Sequence, residues 1–360
     1  MGRLLSRLAA GSHVSRWVRQ NFFRRWYDGA ITVLLAAALI AVVLKVYRWA
    51  IVNAAFSPDP DACRSATGAC WSVVVDTWPL FLAGLYPAEE RWRVFAGFAV
   101  LAAALGLTIG PARRRRNVML SVWSVAPAAF MVLVHGGVLG LAVVEPQKWG
   151  GILLTVILAV VSQVFAFPFG VVLALSRHTR RYPALRTAAT AYIEVVRSVP
   201  LVMVLLMTTL ILPLFLPPTI PLNTVVTAGI GITMFSAAAI AEVIRGGLNG
   251  VPPGQEEAAA SLGLRYGQTM RLIVLPQALH RVQPALVGTF ITFVKGSTLV
   301  VAIGLYDLLG SAILASTNPT WIGNSIEPLI FVAAMFWAMC FALSRVSRRL
   351  ELRRNQAHRI

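Results

Sequence analysis

The segment "GQEEAAASLGLRYGQTMRLIVLPQAL", Gly254 to Leu279, lies between two long apolar runs and carries, side by side, two of the chain's 14 acidic residues. Gly246, Gly247, Gly250, Pro252, Pro253 and Gly254 end the preceding run and detach the segment from it. Gln255 then opens a short helix whose first turn holds Glu256 and Glu257 at the positive end of the helix dipole. Ala258, Ala259 and Ala260 make a smooth, strongly helical surface, and Leu262 falls four residues after Ala258 on the same face. Gly263 suits a left-handed stop. A second short helix is expected from Tyr266 to Leu275, with Pro276 turning the chain toward the next apolar run. A helix of two turns is marginal alone and needs a partner or a platform, and its small face suits insertion into a groove.

The surroundings of this polar island are those of a membrane protein. Of 360 residues, 58% are hydrophobic and only 13% charged, far from the balance of a soluble domain. The net charge is +18, and only Lys45, Lys148 and Lys295 are lysines, so the excess is arginine. Basic residues gather in cytoplasmic loops and set orientation. No aromatic and basic residues interleave on a soluble face, so no nucleic-acid partner is implied. The Arg-rich start, "MGRLLSRLAAGSHVSRWVRQNFFRRWYDG", has no small-residue cleavage site after the apolar run Ile31 to Leu44 and reads as an uncleaved cytoplasmic tail before a first anchor.

A spanning helix needs about 20 apolar residues. Eight candidates lie near residues 29–51, 94–112, 118–144, 149–176, 188–212, 222–244, 283–306 and 327–345. The uncharged stretch from Ser198 to Ala241 is too long for one helix, and Pro213, Pro217, Pro218 and Pro221 mark a turn inside it. Alternation from a cytoplasmic start places "RRRR" (Arg113 to Arg116), "RHTRRY" (Arg177 to Tyr182) and the tail "RVSRRLELRR" inside, with both termini cytoplasmic. Lys45 and Arg48, near the outer end of the first span, run against this rule and are expected to snorkel. The segment from about Asn53 to Arg93 falls outside. Within it Trp71 to Tyr86 is apolar but interrupted by Asp76 and Pro79, as in a surface-lying or re-entrant piece. Cys63 and Cys70 share this segment, where an oxidising compartment permits a disulfide; two free cysteines are the alternative. Cys340, inside the last span, reads as a packing residue.

There is no G-x-x-x-x-G-K-[ST] phosphate loop, so any ATP must be handled by a partner. The five histidines are scattered without ligand spacing, and no metal site is expected. "HGG", His135 to Gly137, lies in an apolar span without a serine elbow and reads as helix packing through small residues.

Ionisable residues in or at the ends of spans are expensive and therefore informative. "YIEVVRSVP" and "IAEVIRGGL" echo each other, setting Glu194 three before Arg197 and Glu242 three before Arg245, each pair on one helix face and able to neutralise itself. Ordinary ion pairs at helix ends are the plain alternative. In "FVKGSTL", Lys295 sits about halfway along a span, followed by Gly296, Ser297 and Thr298. A desolvated lysine needs an anion, a carbonyl or a wet cavity, and Gly296 loosens the backbone beside it. Pore lining and a buried structural pair both fit.

The spacing Glu257-Ala258-Ala259, three residues, Gly263, nine residues, Ile273, one residue, Leu275-Pro276 resembles the EAA signature of ABC importer permeases at every defining position. Within that family, "YIEVVRSVPL" (Tyr192 to Leu201), "AEVIRGGLNGVPPGQEEAAASLGL" (Ala241 to Leu264), "LPQAL" (Leu275 to Leu279) and "KGSTLVVAIGLYDLLG" (Lys295 to Gly310) resemble the polar amino-acid uptake branch. Residues 1–147, with "DACRSATGACW" and "GLYPAEERWR", resemble the M-type permease of the general L-amino-acid system.

The resemblance implies an all-α integral membrane protein of about eight transmembrane helices. Residues 148–346 would form the five-helix type-I ABC importer core, and residues 1–147 an extension of three helices with the outside segment near 53–93. Residues 347–360 would be a basic cytoplasmic tail. It implies a transport subunit rather than an enzyme, in a bacterial inner membrane, carrying L-amino acids delivered by a periplasmic amino-acid-binding protein. The implied partners are a dimer of ATP-binding subunits, where ATP and Mg would reside, a homologous second permease and membrane lipid, with no cofactor on this chain. Gln255, Glu256, Glu257, Ala258, Ala259, Leu262 and Gly263 would couple to the ATPase. Glu194, Arg197, Glu242, Arg245, Lys295, Ser297 and Thr298 would line or gate the pathway. Gly296 replaces the Asp that usually follows the lysine in relatives. The rival readings are an ion-coupled secondary amino-acid transporter, which would need membrane carboxylates or inverted repeats with broken helices, and an ABC permease for another polar solute. An intramembrane hydrolase lacks its nucleophile and base.

Overall fold

Inside a bilayer each backbone N–H and C=O must be satisfied within its own segment, and the chain is helical in consequence. The computed structural model describes residues 20–109, 116–138, 140–179, 181–217, 219, 222–321, 323 and 326–357; among these the only β-type pairings are isolated bridges. The chain divides into two units, Met1–Asp76 and Thr77–Ile360.

In the first unit, α1 (Trp26–Tyr47) runs into a π-helical turn, Arg48–Val52. None of its residues is buried, and its apolar side chains go all the way round, as hydrocarbon requires. Asp59 caps α2 (Pro60–Ser65) by accepting from the Asp61 N–H at 3.0 Å, and Cys63 and Cys70 are joined in a disulfide. α3 (Ser72–Asp76) buries Val73 and Val74.

In the second unit, α4 (Trp78–Ala83) precedes the paired helices α5 (Arg91–Ile109) and α6 (Arg116–His135). The apolar piece 71–86 is thus two short helices flanking Thr77. The third expected span, 118–144, stops at His135. Gly136 and Gly137 take positive φ (77° and 78°), so "HGG" is a helix stop and not a packing seam. Arg93, fully buried, explains the fixed geometry there: its Nε donates to the Leu133 carbonyl (2.7 Å) and its guanidinium to Ala142 O (2.9 Å). With Tyr86 Oη donating to Val134 O (2.8 Å), it satisfies carbonyls that the end of α6 would leave unpaired.

α7 (Gly151–Val156) passes through a π turn, Ile157–Val161, into α8 (Ser162–His178) as one apolar stretch. α9 (Pro183–Ser198) meets α10 (Leu201–Leu206) and the turns after it at 107°. The straight span expected at 188–212 is therefore broken. Val199, before Pro200, is held extended at φ −99°, ψ 138°, the conformation a following proline enforces. α11 (Thr224–Asn249) starts at Asn223, whose side chain accepts from the Val226 N–H at 2.9 Å. After the short α12 (Gly254–Ser261), α13 (Tyr266–Thr269), a π turn (Met270–Val274), α14 (Leu275–Gly296) and a 3-10 turn (Ser297–Ile303) form one continuous stretch, Tyr266–Ile303. Pro276 does not redirect the chain: the π turn just before it gives the helix the slack that a proline ring needs. α15 (Leu308–Ser316) and α16 (Ile326–Ala357) complete the fold.

Among the described residues, seven helical stretches are long and apolar enough to cross a membrane, eight if the bent pair counts as one. α8 and α11 make the most extensive helix pairing among the described residues, through Ala166, Gly170 and Ala174 against Ala237, Ile240 and Ala241. Small residues let two backbones approach where hydrophobic burial from water drives nothing. α11 also reaches a second cluster, where Val225, Ala228 and Ile232 join Phe130 of α6, Leu153 of α7 and Phe293 of α14.

Candidate functional site

The detached segment builds a small, well-capped device. In α12 the N–H groups of Glu256 and Glu257 bond back to Pro253 O, and both carboxylates sit in the first turn. Gly263 takes φ +76°, the Gly263 N–H bonds to Ala260 O (2.9 Å) and the Leu264 N–H to Ala259 O (3.1 Å). This is the pair of bonds by which a left-handed glycine closes a helix.

The alanine surface is divided rather than uniform. Ala259 is buried against α13 and the π turn that follows it, so it anchors the helix. Glu257 and Ala258 face outward, and Leu262 is 80% exposed at the tip. Three further contacts fix the device to its platform: Gln277 Nε2 donates to Gln255 Oε1 (3.0 Å), His178 Nε2 lies 3.7 Å from Glu256 Oε1, and Arg281 donates to Gly250 O. A rigid mount with an exposed apolar tip and an acidic first turn can transmit a push.

The charged pairs lie at the same end of the second unit. Glu242 pairs with Arg245 (2.5 Å), as its spacing predicts, but also with Arg177 (3.2 Å) and Arg197 (3.6 Å). Glu194 does not neutralise Arg197; it pairs with Arg177 at 2.8 Å. The two expected intrahelical pairs are thus one network across α8, α9 and α11, with Arg177 as the member that the sequence does not reveal. Arg177 is visible there only as one charge in "RHTRRY", since 65 residues separate it from Glu242. His178, next in the chain, lies against Glu256 of α12.

Lys295 does not sit halfway along a span. It ends α14, late in the stretch Tyr266–Ile303, with an exposed side chain. Ser297 is buried and donates to Val294 O (2.9 Å), while Thr298 donates to Lys295 O (2.8 Å). Both hydroxyls thus donate to carbonyls at the end of the helix, while the Lys295 ammonium is exposed.

Asp307, a second residue that no sequence signal singles out, is fully buried and caps α15 by accepting from the Gly310 N–H at 3.0 Å. The Leu308 N–H donates to Thr155 Oγ1 (3.1 Å) and the Gly151 N–H to Tyr306 O (3.0 Å), so the start of α7 is clasped to the start of α15. Burial pushes the Asp307 carboxyl from 3.8 up to about 6, partly offset by the Gly310 and Leu309 N–H groups and the Thr155 and Ser297 hydroxyls. A raised carboxyl binds its proton more tightly in the folded state, so stability falls as pH rises from about 4 to about 6 and stays lower above that. Asp307→Asn keeps an acceptor for the cap and removes the buried charge. It is expected to raise the unfolding free energy by an amount on the order of 3 kcal/mol at pH 7.5 and by only about 1 kcal/mol at pH 4.5, read as the shift in thermal unfolding at each pH. Equal effects at both pH values would refute this origin.

Among the described residues no three His, Cys, Asp or Glu side chains group as a metal site. The family described as "Binding-protein-dependent transport system inner membrane component" matches residues 166–356. The chain is similar to the inner membrane amino-acid ABC transporter permease protein YhdY of Escherichia coli, 36% identical over 94% of this chain and 92% of that one. It is also similar to the glutamate/glutamine/aspartate/asparagine transport system permease protein BztC of Rhodobacter capsulatus, 32% identical over 96% and 94%. Among solved structures, an amino acid ABC transporter crystallised with histidines superposes at a TM-score of 0.50. That chain is 31% identical, over 56% of this chain and 92% of its own length.

Proposed function

The chain belongs to the family of binding-protein-dependent transport system inner membrane components, and from that premise we propose that it is the permease subunit of an ATP-driven importer of L-amino acids. The observation that carries the reading is α12. It is an acidic, apolar-tipped helix of eight residues, mounted between two long apolar helices on a chain that has no phosphate loop of its own. In this reading a dimer of ATP-binding subunits holds ATP and Mg, and each takes such a helix in a cleft, Glu257, Ala258 and Leu262 making the contact. A homologous second permease completes the pathway, and a periplasmic amino-acid-binding protein delivers the solute. The chain resides in a bacterial inner membrane with both termini cytoplasmic.

Closure of the ATPases moves α12 as a rigid body, and the anchors at Ala259, His178 and Gln277 pass the movement to α8 and α14. The network of Arg177, Glu194, Arg197, Glu242 and Arg245 ties α8, α9 and α11 at that end and acts as the inner gate. Lys295 supplies a cation to the pathway, with Ser297 and Thr298 shaping the turn that presents it. Residues 148–346 form the importer core and residues 1–147 its extension.

Reconstitution tests the whole reading. Liposomes holding this chain, its partner permease and the ATPase are expected to hydrolyse ATP faster when an amino-acid-loaded binding protein is added, and to accumulate the amino acid. Uptake driven by a proton or sodium gradient without the ATPase would establish the secondary-transport alternative instead.

A further inference from the structure

Lys45 and Arg48 break the charge rule that orders the rest of the chain, and the structure gives them a setting. On α1 and its π turn, Ala41, Leu44, Lys45 and Arg48 follow the spacing of one helix face. That face forms one wall of a cavity of about 480 Å³ whose other wall includes Asn53 and Thr67. No acidic side chain lines the cavity, and neither cation makes an ion pair among the described residues.

The second wall is built in. The Ala69 N–H donates to Trp49 O (2.8 Å) and Trp71 Nε1 to Ala50 O (2.7 Å), so the loop closed by the Cys63–Cys70 disulfide is strapped across the open carbonyls at the end of the helix. Gly68 permits the approach: a Cβ there would lie 2.5 Å from Asn53 O and 2.6 Å from Trp49 O. The strap holds Thr67 opposite Lys45 and Arg48. An apolar floor, two unpaired cations and two neutral polar groups thus meet about 30 Å along the helix from its basic cytoplasmic start, at headgroup depth.

We propose that this cavity binds the phosphate of an anionic glycerophospholipid in the extracytoplasmic leaflet. The phosphate would lie between Lys45 and Arg48, and Asn53 and Thr67 would bond its glycerol or headgroup oxygens. One acyl chain would run down past Leu44 and Ala41. The disulfide places the strap on the oxidising side of the membrane. The unpaired charges favour a headgroup with net negative charge over a zwitterion, and the apolar floor favours a lipid over free phosphate.

The test is native mass spectrometry of the purified full-length chain titrated separately with phosphatidylglycerol, phosphatidylethanolamine and inorganic phosphate. The tightest bound species is expected to be one phosphatidylglycerol, with Lys45→Ala/Arg48→Ala weakening it about thirtyfold. Arg64→Ala, which removes a cation paired with Asp61 outside the cavity, is expected to leave it unchanged. Thr67→Leu retains both cations while filling the cavity, and is expected to weaken retention severalfold even if the double variant is poorly folded. Equal retention of the two lipids, displacement by inorganic phosphate alone, or full retention by Thr67→Leu and by a folded double variant would each overturn the proposal.

Discussion

Glu257→Lys is expected to lower ATP-driven uptake by about tenfold or more and to release the ATPase from the purified complex, while the chain itself stays folded. Its side chain is exposed, so the folded chain loses little beyond the favourable dipole contact of the first turn. A docked partner meets the reversed charge directly, and a small number of central contacts dominates such interfaces. Because α12 has only eight residues, it has no spare helical stability with which to absorb a misfit. Gly263→Ala is the milder companion. No atom lies within 4 Å of the added Cβ, so its whole cost is the positive φ, about 1 kcal/mol, and uptake should fall only severalfold. Unchanged co-purification and uptake in Glu257→Lys would remove α12 from the coupling path.

Glu242→Gln is the second large effect. The carboxylate faces three guanidiniums, and the neutral amide leaves Arg177, Arg197 and Arg245 with Glu194 as their remaining counter-charge in the network. Losing one partner of a fully buried pair costs about 3 to 5 kcal/mol. Arg197 and Arg245 are more than a third exposed in the first case and about a third in the second, so about 2 kcal/mol is the expected loss here. Thermal unfolding in detergent measures it. A cycle with Arg177→Gln separates a network from a local pair: coupling between residues 65 positions apart is expected to be at least half of the single-variant loss. Additivity of the two substitutions would reduce the cluster to an intrahelical Glu242–Arg245 pair. If the network is also the inner gate, Glu242→Gln raises ATP hydrolysis in the absence of loaded binding protein.

Much of this protein is set by local signals that a sequence carries in full. Apolar runs of sufficient length specify helices across a bilayer, whatever they pack against. The break before α12, its acidic first turn and the left-handed Gly263 depend on residues within a turn of one another, and all three stand in the structure as the chain spells them. The spacing of the EAA signature is equally local.

What tertiary structure decided are the choices among equivalent partners and among ways of absorbing a helix breaker. An i, i+3 spacing brings Glu194 near Arg197, but it cannot say that a guanidinium on α8 arrives closer. A proline predicts disruption without its form. At Pro200 the chain bends by 107°, while at Pro276 a π turn lets the helix continue. Burial likewise belongs to the assembled helices. Asp307 and Lys295 are both single charges among apolar residues in the chain, yet one is sealed as a cap and the other is left exposed. The physical reason is common to all of these: residues far apart in sequence compete for the same space and the same charges, and only the packed helices settle that competition.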